Sequence, residues 1–108
     1  MNSKIKTFKE ACLLNRSFKK QGKKVVFALG VFDILHHGHV YLLTEAKKLG
    51  DILVVGVECD INVKVLKGES RPINKLKSRL FVVSNIVGVD YVFPVPPPTK
   101  DKYWRVFI

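Results

Sequence analysis

Apolar residues in this chain gather into two nearly unbroken runs, flanked by stretches in which they recur at helical spacing. Lys24-Val25-Val26-Phe27-Ala28-Leu29 is nearly all apolar and partly β-branched, and Ile52, Leu53, Val54, Val55 and Val57 repeat the theme within 51–58. Such runs predict strands of a parallel sheet, buried on both faces. Between them Leu42, Leu43, Ala46 and Leu49 follow helical spacing over 40–49, with Gly50 as the stop. Strand, helix and parallel strand together make a right-handed βαβ unit.

The flanks extend this pattern. Thr7-Phe8-Lys9-Glu10 fits a capping box, opening a leader helix that buries Phe8, Ala11, Cys12 and Phe18 and ends near Gly22. After the second strand comes a charged loop with Lys64 and Lys67. Asn74 then caps a helix carrying Leu76, Leu80, Val83 and Val87 before Gly88, followed by a short strand, Tyr91 to Phe93. Pro94-Val95-Pro96-Pro97-Pro98 reads as a stiff connector, and Tyr103, Trp104, Phe107 and Ile108 as an apolar helical face. The expected architecture is α/β with a parallel sheet: a leader helix over 1–23, then one domain over 24–108.

Composition narrows the class. With 108 residues, 47% apolar, the chain holds one core and not two. A formal charge of +10 favours anionic partners, among them nucleotides, sugar phosphates and nucleic acid. No basic motif interleaved with aromatics supports the last of these. Cys12 and Cys59 are isolated, without metal-ligand spacing, and read as reduced core thiols. No apolar stretch is long enough to span a membrane and no signal-peptide core is present, so the expectation is a cytoplasmic protein.

The chemistry concentrates in Gly30-Val31-Phe32-Asp33-Ile34-Leu35-His36-His37-Gly38-His39, where a strand gives way to a helix. Gly30 permits a sharp turn, and Gly38 is expected to leave room for a ligand beside the helix start. Free N–H groups and the dipole at that start attract phosphate oxygens. His36 and His39, one turn apart, can aim imidazole donors at the same phosphates. A zinc site is not expected, because no H-E-x-x-H accompanies the histidines. Lys64 and Lys67, also one turn apart, sit near the carboxyl end of a strand, where open α/β sheets bind ligands.

The run G-x-F-D-x-x-H-x-G-H with Leu43 resembles the signature of the cytidylyltransferase-like nucleotidyltransferases. Further on, Asp60 to Asn74, with its K-G-x-S-R-P-x-N run, and then Arg79 and Val89-Asp90-Tyr91-Val92 resemble the nucleotidyltransferase domain of bacterial ADP-heptose synthases. The resemblance implies a Rossmann-like nucleotidyltransferase fold. It implies transfer of AMP from ATP, or CMP from CTP, to a phosphorylated acceptor such as heptose 1-phosphate, with release of pyrophosphate and with Mg²⁺ assisting.

The same resemblance distributes roles. His36, His39 and Lys67 would be catalytic, holding phosphates and steadying the leaving group. Gly30, Val31, Phe32, Asp33, Gly38 and Arg79 would join them in binding the nucleotide, with Val31 and Phe32 offering backbone. Lys64 would meet the acceptor's phosphate, and Arg71 would cover the loop. Asp33 would either fix the turn through backbone N–H groups or touch the metal. No protein-held metal cluster is expected, and the partners implied are a second copy of the chain or a fused sugar kinase domain.

Family members continue to an I-S-T-T-like segment that these 108 residues do not contain. The reading therefore expects a fold truncated at its C-terminus, with an apolar sheet edge beside the first strand. Its alternatives are glycerol 3-phosphate cytidylyltransferase or flavin-adenylylating activity, a non-catalytic nucleotide-binding module, and a basic domain that binds nucleic acid.

Overall fold

The Thr7 hydroxyl accepts the Glu10 N–H at 3.1 Å and Glu10 Oε1 accepts the Thr7 N–H at 2.8 Å, closing a capping box at the start of α1 (Phe8–Lys20). The computed structural model describes residues 3–97. The apolar stretch ending at Ile108 and the last proline of the proline run lie outside the described residues. After α1 come β1 (Val25–Gly30), α2 (His37–Lys47), β2 (Ile52–Glu58), α3 (Asp60–Lys67), α4 (Leu76–Ser84) and β3 (Tyr91–Val95).

The strands pair in parallel in the order β1-β2-β3, with Val25 opposite Ile52 and Val54 opposite Tyr91. Side chains of β2 alternate between two layers. Leu53, Val55 and Val57 pack with Leu43 of α2 and with Leu80 and Val83 of α4, whereas Val54 packs with Ala11 of α1 and with Phe93 and Val95. Helices cover both faces of a parallel sheet, a Rossmann-like α/β fold. Ile5 bridges to Val92 beyond β3, where Lys6 N–H donates to Val92 O at 2.8 Å and Val92 N–H to Lys4 O at 2.9 Å. That edge is covered.

Several expectations change. β1 is half-buried along its whole length rather than buried, because among the described residues a strand pairs with it on one side only, while β2 is buried from Leu53 to Glu58. α2 begins at His37, three residues before the expected Val40, since His36 is its cap. Only Leu43 of its apolar set is fully buried; Leu42 and Leu49 are exposed. The charged loop with Lys64 and Lys67 is helical, forming α3. α4 is capped by Lys75 and not by Asn74, whose side chain donates instead to Asp33 O, and Val87 lies beyond the helix, exposed. β3 runs on to Val95, so Pro94 belongs to the strand and not to a connector. Cys12 and Cys59 are free and half-buried, and burial pushes the Cys12 thiol up against the opposing pull of Arg16.

Candidate functional site

β1 ends at Gly30, and the chain turns through Phe32, whose φ of 51° is a left-handed value that an aromatic residue rarely adopts. That conformation costs on the order of 1 kcal/mol or more. Burial of the ring, 4% exposed, offsets it. The ring folds back over Gly30, where an added Cβ would stand 2.7 Å from Phe32 Cε2, and meets His39 edge-on with centroids 5.8 Å apart. Gly30 is therefore required by the aromatic ring that supports His39.

The two histidines build the start of α2 out of their own rings. His36 Nδ1 accepts the Gly38 N–H at 3.0 Å, and His39 Nδ1 accepts the His36 N–H at 3.2 Å. Both Nδ1 atoms are acceptors, which places each ring proton on Nε2. The rings lie 4.3 Å apart. Backbone donors expected to bind phosphate directly are thus used by imidazoles, and each imidazole presents a polarised Nε2–H in their place. Gly38 does not leave room for a ligand: a Cβ there would meet His36 Cε1 at 2.8 Å, so the His36 ring occupies that space. Burial, and next to it the His36 ring, hold His39 below the usual histidine range, which keeps it neutral and able to accept. His37 turns away and stacks on Tyr41.

A second cluster ties this loop to the 68–75 segment. The Asp33 carboxylate accepts Ile73 N–H and Asn74 N–H, both at 2.7 Å, and lies 3.5 Å from Arg71. Burial acts to raise its carboxyl, but these hydrogen bonds and the guanidinium outweigh burial and hold it below the ordinary carboxylate range. Beneath the loop, Arg79 is buried. Its Nε donates to Asn74 O at 2.8 Å, Nη1 to Val31 O at 2.9 Å and Glu58 O at 2.7 Å, and Nη2 to Asp60 Oδ1 at 2.6 Å.

His36, His39, Lys67 and Arg71 line one cleft of about 880 Å³ at the carboxyl ends of the strands. Gly30, Val31, Phe32 and Asp33 line it as well, together with Ile34, Leu42 and Leu66, whose side chains are exposed. Lys64 and Arg79 are not among the lining residues. The position expected to face the nucleotide, Arg79, instead lies under the loop, while Arg71, expected only to cover it, is in the wall. Sequence reasoning also missed Glu58, which lines the cleft from the end of β2. A charged residue closing a buried apolar strand was the available signal.

Carboxylates do not converge here as a metal cage, and no group of three His, Cys, Asp or Glu among the described residues is placed to hold an ion. No helix among them is long and apolar enough to cross a membrane.

The profile of the cytidylyltransferase-like family matches residues 27–104. The chain is 50% identical over 91 residues to the bifunctional protein HldE of Aliarcobacter butzleri, covering 84% of this chain and 19% of that protein. To HldE of Shigella flexneri it is 48% identical over 98 residues, 91% of this chain and 20% of that one. The chain thus spans about a fifth of the length of the curated relatives it matches. Among solved structures, a lipopolysaccharide core biosynthesis protein of Thermoplasma volcanium superposes with a TM-score of 0.69 at 42% identity, over 75% of this chain and 65% of that one. Pantoate-beta-alanine ligase of Francisella tularensis shares the fold, with a TM-score of 0.61 at 24% identity over 83% and 34% of the two chains.

Proposed function

Because the chain belongs to the cytidylyltransferase-like family, we propose that it transfers a nucleoside monophosphate, AMP from ATP, to the phosphate of heptose 1-phosphate, releasing pyrophosphate. One observation carries the reading: two imidazoles anchored through Nδ1 share a cleft with Lys67 and Arg71. Four donors around one space suit a polyphosphate better than any neutral ligand.

In this reaction the acceptor's phosphate oxygen attacks the α-phosphorus in line, and the bond to the bridging oxygen breaks as pyrophosphate departs. Positioning and charge stabilisation do the catalytic work. His36 and His39 donate from Nε2 to the α and β phosphates, and Lys67 meets the charge growing on pyrophosphate. Val31 and Phe32 present backbone to the nucleotide. Arg79 is a positioning residue, acting through the Val31 carbonyl it holds. Lys64, outside the cleft wall, is assigned no phosphate.

Mg²⁺ suits this site as an ion carried by the triphosphate and water, the usual mode for this cation, because Asp33 already accepts two backbone N–H groups. When bound it supplies neutralisation of phosphate charge. Identity to part of HldE, named bifunctional, supports a sugar kinase domain as the partner of this one.

The test is pyrophosphate release from ATP or CTP with heptose 1-phosphate, glycerol 3-phosphate and flavin mononucleotide as separate acceptors. Turnover is expected with ATP and heptose 1-phosphate. Release only with CTP and glycerol 3-phosphate would reassign the substrates, and release with no pair would overturn nucleotidyl transfer.

A further inference from the structure

Glu58 closes the central strand, is 4% exposed, and still lines the cleft. A buried carboxylate needs partners, and this one has half of them. Asn62, one turn into α3, donates Nδ2 to Glu58 Oε1 at 2.9 Å, and its amide also lies 3.4 Å from Pro96 O. Glu58 O accepts from Arg79. The backbone and one carboxylate oxygen are therefore fixed, whereas no described residue donates to Oε2 and that atom is not sealed from solvent.

We propose that Glu58 is the hydroxyl-binding group of this cleft, its Oε2 accepting from a sugar hydroxyl of the bound ligand while the imidazoles and Lys67 hold the phosphates. A carboxylate repels a phosphate at close range, so Oε2 does not face the phosphates directly, and hydroxyl is a donor that a held carboxylate binds well. The polar side chains of the wall other than Glu58 are donors or already engaged: His36, His39, Lys67 and Arg71 donate, and both oxygens of Asp33 are in use. Glu58 supplies the acceptor that a ligand carrying phosphates and hydroxyls requires. Its place at the end of a strand, in the crevice of an open α/β sheet, is where such ligands lie.

The proposal rests on the nucleotidyl-transfer reading for the ligands it names, and the hydroxyl belongs either to the ribose of the nucleotide or to the acceptor sugar. Calorimetric binding to the full chain separates the two. The probes are ATP against 2′-deoxy-ATP and 3′-deoxy-ATP, heptose 1-phosphate against inorganic phosphate, and pyrophosphate as a ligand without hydroxyls. Glu58→Gln keeps an oxygen for Asn62 and removes the charge. It is expected to weaken one hydroxylated ligand by about 10- to 100-fold, the loss of one charge-assisted hydrogen bond, and to leave pyrophosphate equal or tighter.

If ribose is the source, ATP falls to the level of one deoxy analogue; if the acceptor is, heptose 1-phosphate falls and ATP holds. Unchanged binding of both, or a parallel loss for pyrophosphate, overturns the role of Glu58. Because the wild-type chain is compared with deoxygenated ligands, a poorly folded variant does not decide the matter: wild type that binds ATP no better than both deoxy analogues, and heptose 1-phosphate no better than phosphate, overturns it too. Hydroxyl discrimination without pyrophosphate release supports Glu58 and overturns nucleotidyl transfer alone.

Discussion

Arg79 uses its guanidinium on four acceptors inside the protein, three of them backbone carbonyls from three separate segments, while His36 and His39 use one ring nitrogen each on backbone and keep the other. The two clusters stand side by side at the ends of β1 and β2. A buried polar network with every nitrogen engaged holds loops in place; a half-engaged one has capacity left for a ligand. Scaffold and site can therefore be told apart by which hydrogen bonds are already made, although both are built from basic side chains.

Perturbing each side should show the difference. Arg79→Met is expected to cost about 3 to 5 kcal/mol of folding stability, because it leaves three carbonyls without their buried donor, and a urea titration reads this. A loss under about 1 kcal/mol would deny the arginine its structural role. His36→Ala and His39→Ala are expected to behave oppositely. Each lowers turnover on the order of 10²-fold, about 2.7 kcal/mol in the barrier, while stability falls by only about 1 kcal/mol as a cap is lost. Steady-state rates paired with melting curves test the contrast, and unchanged turnover would remove the histidines from catalysis.

Asp33→Asn comes next, at about 1 to 2 kcal/mol for a weakened pair of charge-assisted bonds. The carboxyl is held below its ordinary value, so its contribution is complete above about pH 4, the unfolded range, and fades as pH falls through the lowered folded value. Urea midpoints between neutral and acid pH should fall more steeply for wild type than for Asp33→Asn. The smallest effect concerns His39, whose proton affinity is lowered. Stability from its neutral form is present above about pH 6.5 and lost as pH falls through the lowered value. An NMR titration should place His39 below a free histidine, and added pyrophosphate should move it back up, since nearby anions favour the charged ring. No movement would mean that phosphate does not approach His39.

Much of this was legible beforehand, and the misses have physical causes. Nearly unbroken apolar runs marked β1 and β2, and the histidine turn stood out because two rings one turn apart followed a strand. α3 reads as a charged loop because Asp60, Lys64, Lys67 and Glu69 crowd the segment, and the period-two spacing of Ile61, Val63 and Val65 marks no helical stripe. Burial of Asn62 and Val63 against the rest of the fold fixes it as a helix instead. Arg79 was misplaced because a charge is taken to lie outside by default. Yet Leu76, Arg79, Leu80 and Val83 occupy successive positions of one helical stripe, so the spacing already put the guanidinium on the inward face. The use of Gly38 to seat the His36 ring could not be read from one sequence, because a glycine does not disclose which neighbour needs the space.

The pairing of Lys4 to Lys6 with Val92 carries a consequence for how the sheet can grow. A parallel sheet whose one margin is already paired at Val92 is a template that extends more readily from its other margin. Among the described residues the unpaired margin is the flank of β1, next to the loop that bears the histidines, and a further strand would find its backbone partners there. A strand added there would then bear on the histidine loop as well as on the sheet.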